Sequence, residues 1–311
     1  MANFVLGFSK WKREWFHEYV DKPIYLDSFF SKALFFIHSG LPFIKTNLYV
    51  WSYSDGQKLK TNSRYRVIRV EDGFLRSKGL GSDKVPPESL FFDTSGYLYF
   101  DGARKSDIDD VIFNRELTDD EIHQSLILAK IVKNKNLTKY NLSSEFLEFP
   151  VGSILVIGQV EDDLAVKYGG GVKTNLELVQ LAIKENPGKR IFFKRHPDVV
   201  SGNRTEESGF EVIKEVSTVL EVGLKAQDIT RQFSRVYVNT SLMGFELIIH
   251  GCDVRVVGRP FYSGLGFTDD YQTVRENSPE ITLEELIYKI YELCPQYRQG
   301  GVSQLLSGSE I

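Results

Sequence analysis

The sequence predicts an α/β protein of two Rossmann-like domains facing across a cleft, and three observations carry that prediction. Short β-branched or aromatic runs alternate with helical patterns, the order expected of parallel strands joined by right-handed crossovers. At 311 residues, with 42% hydrophobic and 13% aromatic content, the chain is long enough to fill two cores. Polar residues from Asn134 to Ser144, then Pro150, interrupt the pattern, so one domain is expected over 1–148 and a second over 149–295, with a polar tail over 296–311.

In the first half, residues 48–51, 65–70, 89–93 and 97–100 read as strands, the last two joined through Thr94, Ser95 and Gly96 as a hairpin. Ser106 caps a short acidic helix through Val111 and Ile112. Thr118 and Glu121 form a capping box, each satisfying a free backbone N–H, and open a helix to about residue 133. In the second half, residues 153–157 form a short continuous apolar strand. The helix over 175–185 carries Leu176, Val179 and Ile183 on one face, with Ala182 at its edge, and ends at Asn186-Pro187-Gly188. A strand over 190–193, a helix over 218–224, a strand over 235–238, a helix from about 242 and a strand over 254–257 complete the pattern.

Bulk properties exclude several classes. A formal net charge of -4 argues against a nucleic-acid partner, which usually meets a basic face. Cys252 and Cys294 are the only cysteines, too few for a disulfide framework or a cysteine metal site, so a cytoplasmic location is expected. No run reaches the about 18 apolar residues of a spanning helix, and the N-terminus lacks the order of a signal peptide. The chain is expected to be soluble or at most peripheral to a membrane. Residues 8–16, with Trp11, Trp15 and Phe16 among Lys10, Lys12 and Arg13, suit an interfacial helix, but a first helix packing on its own domain uses the same residues.

Four loops at expected strand ends hold the chemistry-bearing residues. The first runs from Arg69 to Gly81 and pairs Glu71 and Asp72 with the cations Arg76 and Lys78; a plain acidic turn is its bland alternative. The second holds Gln159, Glu161, Asp162 and Asp163 after the strand at 153–157. Three adjacent acids repel, so at least one should gain a raised pKa or a cationic partner. A carboxylate there can act as base, nucleophile or metal ligand, or merely cap a helix; no His or Cys stands nearby to support a metal. The third loop, Lys194-Arg195-His196-Pro197-Asp198, puts two cations and a hydrogen-bond donor at a strand end, where open α/β sheets hold ligands such as phosphates.

The fourth loop, Asn239-Thr240-Ser241, opens a helix that carries Glu246 about one turn in; hydroxyls and free N–H groups suit an anion and Glu246 a ribose, although Thr240 or Ser241 can cap without any ligand. A further Gly- and aromatic-rich segment over 258–266, with Tyr262, has the composition of a loop that covers a cleft. Two phosphate-type sites, a ribose-type acid and separate carboxylates point to a nucleotide-sugar enzyme of GT-B type. Dinucleotide and P-loop signatures are missing from the sequence, and no Asp-x-Asp follows an expected strand to hold a metal-bound diphosphate.

The four motifs, Val70 to Ser77, Gly158 to Asp163, Lys194 to Asp198 and Thr240 to Glu246, occur in the order found in the bacterial capsule-polysaccharide β-Kdo transferase family, which the chain resembles from Gly7 to Asp270. The resemblance implies a GT-B-like fold and retaining transfer of Kdo, an acidic sugar, from CMP-Kdo to a glycan or glycolipid acceptor of surface polysaccharide, with no cofactor and no metal. It makes Asp163 the nucleophile and Glu71 or Asp72 the acid pair on the opposite domain. It places His196 near the CMP phosphate and makes Ser241 and Glu246 nucleotide contacts; Gln159, Lys194, Arg195 and Thr240 are expected beside them around CMP, and Arg76 and Tyr262 toward the sugar or acceptor. Arg195 stands where the family often has proline, and Leu265 where it often has tryptophan, which leaves the acceptor more open than the donor. Many relatives carry two transferase modules, whereas one is read here, implying one linkage type. Peripheral contact with the inner membrane or with polysaccharide assembly proteins is compatible with this reading. Transfer from another CMP-linked acidic sugar, or a non-catalytic binding subunit, are the competing expectations.

Overall fold

Two six-stranded sheets organise the protein, each in its own unit. The structure, a computed structural model, describes residues 2–41, 44–55, 58–77, 81, 83–95, 98, 105–139, 141, 146–273, 275, 280–298 and 302. In chain order the first part contains β1 (Ala2–Leu6), α1 (Lys10–Phe16), β2 (Ile24–Tyr25), α2 (Phe29–Gly40), β3 (Thr46–Trp51), β4 (Arg66–Asp72) and β5 (Ser89–Asp93), followed by α3 (Asp107–Asn114) and α4 (Asp119–Lys135). Then come β6 (Ser153–Ile157), α5 (Leu164–Gly169), α6 (Asn175–Glu185), β7 (Ile191–Lys194), α7 (Pro197–Val200), α8 (Phe210–Val216) and β8 (Thr218–Leu220). The remainder is α9 (Ala226–Gln232), β9 (Phe233–Val238), α10 (Met243–Ile249), β10 (Val254–Val256), β11 (Asp269–Asp270), α11 (Leu283–Tyr288) and β12 (Pro295–Tyr297).

The first unit comprises residues 1–98, 105–111 and 289–311. Its sheet has the order β12-β5-β4-β3-β1-β2, with parallel pairing from β2 through β4 and antiparallel pairing of β5 to both β4 and β12. Alternation in β3 buries Thr46, Leu48 and Val50. Leu48 and Val50 pack with Phe4, Phe35 and Val67, while Phe8, Trp15, Phe16, Val70 and Leu90 form a second cluster. Trp15 and Phe16 are therefore core residues, and α1 is a helix packing on its own unit, not an interfacial one.

The second unit, residues 99–104 and 112–288, carries a fully parallel sheet of order β11-β10-β9-β6-β7-β8. All five residues of β6 are buried, as a central strand covered on both faces requires. Leu178, Val179 and Ala182 of α6 pack against Ile154, Val156, Phe193 and Tyr237. The buried stripe thus runs through 175, 178, 179 and 182, rotated from the expected 176-179-183 face, whose Leu176 and Ile183 lie at its margin.

The expected division at 148/149 differs from these units in two ways. Helix α4 packs on α11 within the second unit, and β12 pairs with β5, returning the chain to the first. Gln296 and Tyr297 of the expected tail accordingly form sheet; Arg298 and Val302 are its other described residues. The expected helix over 218–224 is wrong. Thr218 to Leu220 form β8 beside β7, because the run Thr-Val-Leu suits an extended edge better than a helix. Of the expected hairpin's second strand only Leu98 is described; residues 97, 99 and 100 lie outside the described residues. Both capping expectations hold: Ser106 Oγ accepts from Asp109 N–H at 3.3 Å, and Thr118 and Glu121 form the reciprocal box that opens α4.

Candidate active site

In the second unit the chain runs from β6 outward through β7 to β8, then returns to β9 on the other side of β6 and continues to β10 and β11. The order reverses between β6 and β9, and a crevice opens at the carboxyl ends of strands at such a point. The loops after β6, β7 and β9 are the second, third and fourth motifs. The parallel register brings three separate sequence motifs to one edge of one sheet.

Gln159 and Thr240 join two of these loops. Gln159 Nε2 donates to Thr240 Oγ1 at 2.6 Å, and Thr240 N–H donates to Gln159 Oε1 at 3.1 Å. Gln159 N–H in turn donates to Asn175 Oδ1 at 2.9 Å, which fixes the loop to the first turn of α6. Asn239 does similar work one position earlier: its Oδ1 accepts from Gly171 N–H and its Nδ2 donates to Val172 O, both at 2.9 Å. Glycine is required in this packing, since a Cβ at Gly171 would lie 2.0 Å from Val257 O and one at Gly258 2.6 Å from Gly169 O.

The three adjacent acids separate by direction. Glu161 accepts from Asn175 N–H at 2.8 Å and from Ser208 N–H at 3.1 Å, so backbone donors take the place of the expected cation. Asp162 is exposed. Asp163 is half-buried at the N-cap of α5 but makes no side-chain capping bond, and its charge acts on His196.

Lys194, His196 and Glu246 form the electrostatic centre. Burial pushes the Lys194 ammonium pKa down, an effect that Glu246 opposes. Glu246 is buried, and burial pushes it up to about 7 even though its Oε1 accepts Lys139 N–H at 2.6 Å and the charges of Lys139 and Lys194 pull the other way. Burial likewise pushes His196 down to about 4, against the pull of Asp198 and Asp163 and with the push of Lys194 and Lys139. Its Nδ1 accepts from Asp198 N–H at 3.2 Å, so the neutral ring carries its proton on Nε2. The 3.9 Å approach of Nδ1 to Asp198 Oδ2 is accordingly no ion pair at neutral pH. A neutral imidazole with a fixed Nε2–H donor beside a buried ammonium is suited to an anionic oxygen.

Ser241 Oγ accepts from Met243 N–H at 3.3 Å at the entry to α10, and its carbonyl accepts the Tyr262 hydroxyl. That bond helps fix Tyr262 in the interior, fully buried and stacked on Phe245, so the expected contact with sugar or acceptor does not hold. The segment over 258–266 packs its Phe261 and Tyr262 rings on α10 and is part of the core.

Arg195 also departs from expectation. Its guanidinium donates to Glu207 Oε2 at 2.7 Å and Glu221 Oε1 at 2.7 Å, and stands 4.0 Å from the Phe210 ring centroid. It clamps the β7 loop to the segments before α8 and after β8, which accounts for a cation where the family often has proline, and it is not aimed at a phosphate.

The first unit repeats the switch-point geometry between β1 and β3. Glu71 and Asp72 end β4, and Arg76 lies four residues on, buried, with its Nε 2.8 Å from Asp72 Oδ2 and its other nitrogens donating to Ser77 Oγ and Val85 O. Arg76 is thus a positioning group for Asp72 and not an exposed sugar contact. Sequence reasoning gave Lys12 no role at this site. Its ammonium sits 3.0 Å from the Trp51 ring centroid, and burial pushes its pKa down to about 8 against the opposing charges of Asp72 and Glu71. Lys139, drawn from a polar linker, carried no signal at all, whereas Asn239 could have been found from its place directly after β9.

Among the described residues no cluster of three or more metal-ligating side chains is present, and no helix is long and apolar enough to cross a membrane. Residues 151–291 match the family model described as "Capsule polysaccharide biosynthesis protein". The "Lipopolysaccharide-processing protein LpsZ" of Rhizobium meliloti is 36% identical over 78% of this chain and 56% of its own length. The "Capsule polysaccharide modification protein LipA" of Neisseria meningitidis serogroup B is 32% identical over 94% of this chain and 42% of its own. The chain thus spans about half the length of these curated relatives. Two solved structures from Thermosulfurimonas dismutans, "KpsC, beta Kdo 2,7 transferase" and "KpsC, beta Kdo 2,4 transferase", are each 26% identical, with TM-scores of 0.78 and 0.79, over 98% of this chain and 97% of theirs.

Proposed function

We propose, from the match of residues 151–291 to the capsule polysaccharide biosynthesis family model, that the chain is a retaining β-Kdo transferase. It moves Kdo from CMP-Kdo to a glycan or glycolipid acceptor of capsule or lipopolysaccharide, on the cytoplasmic side of the membrane. One observation carries the reading: the loops bearing Asp163, His196 and Thr240, from three motifs far apart in sequence, leave neighbouring parallel strands at the switch point of one sheet, where Gln159 and Thr240 bond to each other. The fold shared with two β-Kdo transferases supports the same conclusion.

The chemistry follows from the groups. The single phosphate of CMP takes hydrogen bonds from His196 Nε2–H, Lys194 and Ser241, and Glu246 accepts from the ribose. Leaving-group charge is stabilised by these fixed donors, without a metal. Asp163 attacks the anomeric carbon, forming a C–O bond as the bond to the CMP oxygen breaks and its electron pair leaves with CMP. An acceptor hydroxyl then displaces Asp163 and gives its proton to a general base, and the two inversions retain configuration. Gln159 and Thr240 hold the loops in register and touch no substrate in this scheme.

Incubation with CMP-Kdo and a panel of lipid-linked and oligosaccharide acceptors tests the proposal. CMP release with a β-linked product is expected, unaffected by chelator. Release from another CMP-linked acidic sugar alone, or CMP binding without turnover, would replace the reading.

A further inference from the structure

Helix α2 is inverted with respect to its own unit. Its buried residues are Ser31, Phe35 and Ser39, and Phe35 meets Phe4 at 5.2 Å between ring centroids, which seats the helix on the sheet. Its outward side chains are large and apolar: Phe29 is 89% exposed, Phe30 77%, Phe36 73% and Ile37 60%, and Leu41 follows at 46%. Solvent-facing helix surfaces are ordinarily polar, and an apolar patch of this kind marks an interaction surface. Gathering within thirteen residues, these five include the most exposed aromatic rings of the described chain.

Charge identifies the occupant. From Ser28 to Thr46 there is no acidic residue, while Lys32, at the edge of the apolar face one turn from Phe29 and Phe36, and Lys45 are both exposed. Exposed apolar residues of α4, by contrast, stand beside Asp119, Asp120 and Glu121. A second copy of the chain in an isologous contact would bring Lys32 close to its own counterpart, with no acid in the segment to offset the charge. An anionic lipid surface accepts both features, because phenylalanines enter the headgroup and acyl boundary while lysines extend to the phosphates. At twelve residues the helix is about 18 Å long, too short to span a bilayer and suited to lying in its plane.

We propose that α2 is a membrane-surface docking element, which inserts Phe29, Phe30, Phe36 and Ile37 into an anionic bilayer interface with Lys32 at the headgroups. This assigns lipid contact to α2 in place of the Trp11 and Trp15 segment, whose large rings are spent on the core. It stands apart from the transfer reaction and does not depend on donor identity.

Flotation of the full chain with phosphatidylglycerol/phosphatidylcholine vesicles, compared with phosphatidylcholine alone, tests it. The unchanged protein should float with the anionic vesicles, and Phe30→Ser/Phe36→Ser should lower the partition coefficient by about tenfold or more with an unchanged melting temperature. Lys32→Glu should weaken binding to anionic vesicles alone. Absence of flotation, equal flotation of the double variant, or a dimer in sedimentation velocity that the double variant abolishes while vesicles bind nothing, would overturn the proposal.

Discussion

The side chain of Gln159 is bound at both ends by Thr240, giving a proton to its Oγ1 and taking one from its backbone N–H. Two loops that meet across the strand reversal are thereby fixed to each other before any ligand arrives. Removing the amide in Gln159→Ala leaves the half-buried Thr240 N–H without its partner, at a cost of about 1 kcal/mol. Thr240→Val keeps that N–H bond and should cost less. Chemical denaturation should rank the two variants in this order, with donor KM raised more by Gln159→Ala.

Asp163 caps α5 in position only, with no side-chain bond to the helix. Asp163→Asn should therefore change stability by about 0.5 kcal/mol or less. Transfer should fall by about a thousandfold or more, since the amide is no nucleophile. Turnover and thermal unfolding of one sample separate the two effects.

The two buried titrating groups predict opposite pH dependences. His196 sits at about 4 in the folded chain against 6.5 unperturbed. The unfolded state therefore binds the extra proton first, and the His196 contribution to stability falls as pH drops from 6.5 toward 4. His196→Gln should flatten the stability profile there.

Glu246 is displaced the other way, to about 7 from 4.5. The folded state keeps its proton longer, so stability is fully present below 4.5 and is lost as pH rises toward 7. Glu246→Gln, which can still accept from Lys139 N–H, should be the more stable protein at pH 8. Unfolding curves of both variants and the parent between pH 4 and 8 read the two slopes separately.

Arg195 holds Glu207, whose side chain is almost wholly buried. Arg195→Ala should cost about 3–5 kcal/mol by stranding that carboxylate. Donor KM of the folded fraction should remain near the parent value. A large KM change with little loss of stability would return Arg195 to the phosphate.

Legibility from sequence followed the reach of local signals. Continuous apolar runs located β6, β7 and β9, and the residues directly after them proved to share one sheet edge, because parallel strands align their carboxyl ends. The same local rules failed where partners came from afar. Tyr262 and Arg76 have the composition of ligand contacts, yet Ser241 O and Asp72 claim them inside the protein. Lys139 meets Glu246 from 107 positions away, and no spacing rule reaches that far. Helix α2 escaped notice because its apolar residues occupy both faces, so their pattern alone does not distinguish an inner from an outer side.

The most direct test of the account is mass analysis of the rapidly quenched protein after exposure to CMP-Kdo without acceptor. CMP release is expected with a Kdo-sized mass increase on the peptide containing Asp163, absent from Asp163→Asn. Steady transfer to acceptor by Asp163→Asn at the parent rate would contradict it.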